Sequence, residues 1–87
     1  MSNRINKKEF VKRLAKRMGQ SEQQAEENLD AVLDELYDAF KRDEGVTFTN
    51  FGSFYLDQRR SGTVFKFNPS QRLRALFGWS STYKGDL

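Results

Sequence analysis

The hydrophobic period of this chain changes once from that of a helix to that of a strand, near Gly45, and the pentapeptide Asn50-Phe51-Gly52-Ser53-Phe54 follows directly. Before the change, apolar residues recur at helical spacing in two runs; after it, Val46 and Phe48 alternate with Thr47 and Thr49. Asn50 and Gly52 are the residue types best able to take positive φ, so the pentapeptide is expected to turn the chain between two strands. Helices first, strands next and a helix start near the end make the expected class α+β.

Asn6 followed by Glu9 has the form of a capping box, with Ile5 and Phe10 at the staple positions. Phe10, Val11, Leu14 and Met18 make the stripe of a first helix, which Gly19 ends as a left-handed residue. Ser21 with Gln24 repeats the box. Ala25, Leu29, Val32, Leu33, Leu36 and Phe40 then give a longer helix that stops before Gly45, so the two helices form an antiparallel hairpin across a very short turn. Further on, Phe54, Leu56, Gln58 and Arg60 share one strand face. A two-residue turn at Ser61-Gly62 would set Arg60 opposite Thr63, Gln58 opposite Phe65, Leu56 opposite Phe67 and, on the other face, Asp57 opposite Lys66. Asn68 as N-cap, Pro69 in first position and Gln71 as box partner start a last helix with Leu73, Leu76 and Phe77 on its apolar side and Gly78 at its end. The expected boundaries are a helical hairpin over 6–43, a sheet over 46–68, a C-terminal helix over 69–78 and a tail over 79–87, where Trp79 and Tyr83 either pack back on the body or stay loose.

With 87 residues and neither cysteine nor histidine, the chain is expected to be one small domain without a disulfide or zinc staple. Eight phenylalanines in so short a chain favour a core shared with a second copy. No apolar run reaches membrane-spanning length, and no apolar signal region follows Ser2-Asn3-Arg4-Ile5-Asn6-Lys7-Lys8, so a cytosolic protein with no membrane partner is expected. Without His, Cys or a Gly-rich phosphate loop, no catalytic residue, cofactor or metal ligand is expected, and an enzyme is the least expected class. The net charge of +3 is unevenly spread: residues 1–20 carry +6, residues 21–50 carry −7 and residues 51–87 carry +4. Basic blocks at both ends fit a polyanion partner.

The order of elements, with Phe-Gly-Ser-Phe at the hairpin, resembles the HU/IHF family of bacterial histone-like DNA-binding proteins from about Asn6 to Phe77. The resemblance implies an intertwined homodimer, with interlocked helical hairpins as a base, three-stranded antiparallel sheets as a saddle, and a short C-terminal helix. It implies that Phe51, Phe54 and Phe67 fill the shared dimer core, which Leu36 and Phe40 of the second helix are expected to join. Read blandly, all of these are core residues. Asn50 stands where the family usually has glycine, a mild departure because Asn also tolerates positive φ.

Proteins of this family hold phosphates with basic residues on the saddle and at helix N-termini, and kink the duplex with long β-arms tipped by proline. The positions matching the first part are Arg59 and Arg60 at the arm base, Lys66 on the returning strand, Arg72 and Arg74 on the last helix, and Lys7 early in the first. Each also has a plainer reading: Lys66 pairs with Asp57, and Arg72 and Arg74 solvate a helix face. Adjacent arginines on an exposed hairpin repel unless an anion binds them, although strand neighbours face opposite ways and do not share one phosphate. The second part is missing. Twelve residues separate Phe54 from Phe67, so each strand extends roughly 17 Å at about 3.3 Å per residue. The family's Arg-Asn-Pro arm motif does not occur, and Pro69 already serves as a helix start, so no proline-wedge kinking is expected.

Glu22, Glu26, Asp30, Asp34 and Asp38 form an acidic ridge of period four, and Lys8, Lys12 and Lys16, with Arg13 and Arg17 beside them, form a basic one. Ridges that neutralise one another within the dimer are one expectation, and would leave most first-helix cations unavailable to DNA. Ridges that meet between dimers, giving dimer–dimer assembly, are the sharper one. The expected function is nucleoid-associated, largely sequence-nonspecific binding and condensation of double-stranded DNA in a bacterial cytoplasm. The alternative is a structural or protein-interaction dimer on the same scaffold that has lost DNA binding. No helix looks positioned to read base edges.

Overall fold

A computed structural model describes residues 3–78, and the chain divides into two compact units, one ending at Leu36 and the other beginning at Tyr37. The elements in order are α1 (Lys7–Met18), α2 (Glu22–Lys41), β1 (Val46–Phe48), β2 (Gly52–Arg59), β3 (Gly62–Pro69) and α3 (Gln71–Leu76). Trp79 and Tyr83, expected either to pack or to stay loose, lie outside the described residues.

In the first unit, Asn6 caps α1 from an extended backbone, its side chain accepting the Glu9 N–H at 2.9 Å. The Glu9 carboxylate lies 3.5 Å from Arg13 Nε, one turn along the helix. Gly19 takes the expected left-handed conformation at φ 64°, and the N–H groups of Gly19 and Gln20 satisfy the Lys16 and Ala15 carbonyls. Ser21 Oγ accepts the Gln24 N–H at 3.1 Å and starts α2. Val11, Ala15 and Ala25 are buried together, with Leu14 and Leu29 packed on them.

In the second unit α2 ends at Lys41, before Gly45 as expected, and Asp43 supplies a left-handed residue at φ 58°. A short polar side chain tolerates this conformation at little cost. The sheet is antiparallel, in the order β1-β2-β3. Asn50 does take positive φ, at 66°.

Two local expectations are corrected here. Arg59 pairs with Gly62, so the loop is Arg60-Ser61 and Arg60 leaves the strand face assigned to it. Leu56 lies opposite Phe65, Gln58 opposite Thr63, and Tyr55, not Asp57, opposite Lys66. The shift is two residues, which leaves every strand side chain on its expected face. What selects this register is the pairing of Phe54 with Phe67, whose ring centroids are 4.8 Å apart. The second correction concerns the last helix. Asn68 and Pro69 belong to β3, and Ser70 is the N-cap, its Oγ accepting the Leu73 N–H at 3.2 Å. The Ser70 N–H donates to the Phe51 carbonyl at 2.9 Å, which holds the chain in the sheet up to that residue. Proline suits the end of an edge strand because it has no N–H to leave unpaired.

Candidate nucleic-acid interface

Period-two alternation gives the β2–β3 ribbon two chemically different faces. One carries Phe54, Leu56 and Gln58 with Phe67, Phe65 and Thr63 opposite. Phe40, from the end of α2, packs edge-on to Phe65 at 5.2 Å, and Phe51 lies 5.6 Å from Phe67. Phe48 meets Phe54 at 6.2 Å. Of the residues expected in a dimer core, Phe40, Phe51, Phe54 and Phe67 therefore stand in one cluster, and Leu36 is half-buried at the end of the first unit. Phe65 belongs with them; the expected register had set it opposite Gln58.

The other face carries Ser53, Tyr55, Asp57 and Arg59, with Asn68, Lys66, Val64 and Gly62 opposite. Asp57 organises it. A single oxygen, Asp57 Oδ2, accepts from Arg59 Nε at 3.1 Å and lies 3.5 Å from Lys66 Nζ. The Asp57–Lys66 ion pair thus forms diagonally across the strands. Arg60 stands at the hairpin tip, exposed. Beyond the part braced by β1, the ribbon from Tyr55 to Arg59 is five residues per strand, about 17 Å at 3.3 Å each. Pro69 pairs with Gly52 at the opposite end from the tip.

Arg74 of α3 donates to Asn68 Oδ1 at 3.2 Å, which fixes its guanidinium against the outward face two residues along the strand from Lys66. Arg72 is half-buried and lines a depression of about 350 Å³ with Thr49, Asn50, Phe51, Leu73 and Leu76. Lys7 is elsewhere, in the first unit: its Nζ lies 2.6 Å from Asp30 Oδ1 and 4.0 Å from Glu26 Oε2. The hydrogen bond to Asp30 holds the Lys7 ammonium pKa above the ordinary lysine value, with the charges of Asp30, Glu26 and Asp34 adding to it. Sequence reasoning missed Tyr55, an exposed aromatic directly opposite Lys66. The same alternation that marks the phenylalanine face could have found it.

The family model for bacterial DNA-binding protein matches residues 5–71. The chain belongs to the HU family. Among solved structures, HU from Thermotoga maritima is 32% identical and superposes with a TM-score of 0.73 over 84% of this chain and 98% of its own. A point mutant of that HU gives a TM-score of 0.75 over 84% and 99% at the same 32% identity. An HU from Anabaena, crystallised with DNA, shares the fold at 22% identity, with a TM-score of 0.74 over 85% and 98%. Among curated protein sequences none matches the chain. The α+β fold of helices and a three-stranded antiparallel sheet is that of HU. Among the described residues no helix is long and apolar enough to cross a membrane.

Proposed function

We propose that this HU-family chain, as one HU-like domain, forms a homodimer that binds double-stranded DNA with little sequence preference, through phosphates, at the nucleoid in the cytoplasm. The observation that carries the reading is the placement of Arg59, Lys66 and Arg74 along the sheet face opposite the phenylalanines, with Arg60 at the tip. Arg72 extends the basic set on α3. Lys7 contributes where a phosphate outcompetes Asp30 and Glu26 for its ammonium. Such contacts position a protein on DNA and carry no sequence information.

Homodimerisation is supported by how little the chain buries alone. Among the described residues the buried apolar ones are Val11, Ala15, Ala25 and Ala39, three of them alanines, while Phe65 is 53% exposed and Tyr37 68%. Binding without a proline wedge is supported by the short ribbon and by Pro69 lying at its far end. DNA is then bent less than by a long-armed relative.

Fluorescence anisotropy of a labelled duplex, titrated across a salt series, tests the reading. Binding that weakens linearly in log salt is expected. No binding at low salt would refute it in favour of a dimer that has exchanged DNA for a protein partner.

A second reading, association of dimers through the charged ridges, has its own observation. Among the described residues Lys8, Lys12, Lys16 and Arg17 have no ion-pair partner, and Lys7 alone reaches from α1 to the acids of α2. Sedimentation at low and high salt separates it from a dimer that assembles no further.

A further inference from the structure

The outward face of the sheet holds one carboxylate among its cations, and that carboxylate is already bound to two of them. Asp57 Oδ2 lies 3.1 Å from Arg59 Nε and 3.5 Å from Lys66 Nζ, so the two nitrogens are brought within a span that a single anion bridges. The side chain of Asp57 is 38% exposed and that of Lys66 36%, so the group is open to an incoming ligand. Register explains the geometry: Asp57 and Arg59 are two residues apart on one strand face, and Lys66 is the diagonal neighbour of Asp57 across the ribbon.

We propose that Asp57 is a resident counter-anion of the DNA-binding face, occupying the place of a phosphate and setting the affinity by competing with it. The inference rests on the DNA-binding reading and adds regulation of that same site. A carboxylate and a phosphodiester offer these cations the same chemistry, two anionic oxygens that accept from a guanidinium and an ammonium. While Asp57 holds them, Arg59 and Lys66 offer a phosphate partly neutralised charge and only the donors that the carboxylate leaves free, and the carboxylate also repels the phosphate directly. Exposed ion pairs are weak and easily exchanged, so Asp57 attenuates binding without abolishing it. In its absence two neighbouring cations lose their internal neutralisation, and more counterion release accompanies binding.

The test compares the full-length protein with Asp57→Asn, which keeps the shape and one acceptor but removes the charge. The readout is anisotropy on a duplex across a salt series, with thermal unfolding measured alongside. Asp57→Asn is expected to bind several-fold tighter at low salt, with a salt slope steeper by about 0.9 for each cation released in full. In a Lys66→Gln background the same change should gain less, because one of its two clients is gone. Wild type that binds with salt dependence beside an Asp57→Asn variant of equal or weaker affinity and unsteepened slope would overturn the proposal and leave the DNA reading standing. Weaker binding with a lower melting temperature would make Asp57 a structural brace of the hairpin, which also overturns it. Binding by neither protein at low salt would overturn the DNA reading and this inference together. Binding by the variant alone would support both.

Discussion

Gly52 and Phe67 are packed so closely that a Cβ added to the glycine would stand 2.7 Å from Phe67 Cζ. The same atom would lie 2.6 Å from the Asn68 carbonyl oxygen, which belongs to the backbone and cannot swing aside. Gly52 also has φ 154°, a conformation that L side chains rarely adopt. Gly52→Ala should therefore destabilise the fold by about 2–4 kcal/mol, combining backbone strain with overpacking. Chemical denaturation would measure it, and a loss under 1 kcal/mol would contradict the packing described.

The two tip arginines should differ in their effect on DNA binding. Arg60 is exposed, whereas Arg59 is engaged by Asp57. Arg60→Ala is expected to flatten the salt slope by about 0.9, the value for one phosphate contact, and Arg59→Ala by less. Equal, undiminished slopes for both variants, measured by anisotropy, would remove the hairpin from the interface.

Dimerisation predicts an unusual cost for a surface change. Val32 is 51% exposed on α2. In a monomer, Val32→Asp would alter stability by no more than about 0.5 kcal/mol, as surface substitutions do. In a homodimer that buries this face it should cost several times as much and shift sedimentation toward monomer. The melting temperature of the wild type should also rise with protein concentration.

Lys7 gives a pH signature. Its pKa is raised by Asp30 first, so the stability it contributes is fully present below the ordinary lysine pKa and is lost as pH rises through the higher, folded-state value. Lys7→Gln should flatten that alkaline limb of stability in thermal melts while leaving the acidic limb largely as it was. The side chain is exposed, so the effect should be small and should fade in high salt.

Much of this was legible in the chain itself. The caps at Asn6 and Ser21, the left-handed Gly19, the positive φ at Asn50 and the separation of phenylalanines from cations on β2 and β3 are local properties. Each follows from a side chain's reach to its own backbone or from the strict alternation of a strand. Family membership was legible for the same reason, since it rests on the order of those local patterns. What tertiary structure decided was register, partnership and where the strand stops. Pairing of Phe54 with Phe67 moved the loop to Arg60-Ser61. The bond from Ser70 to the Phe51 carbonyl kept Asn68 and Pro69 in the sheet, against a helix-start pattern that looked complete. A two-residue shift is invisible to alternation, because it leaves every side chain on the same face. Only the folded ribbon therefore brings Arg59 and Lys66 to one oxygen of Asp57.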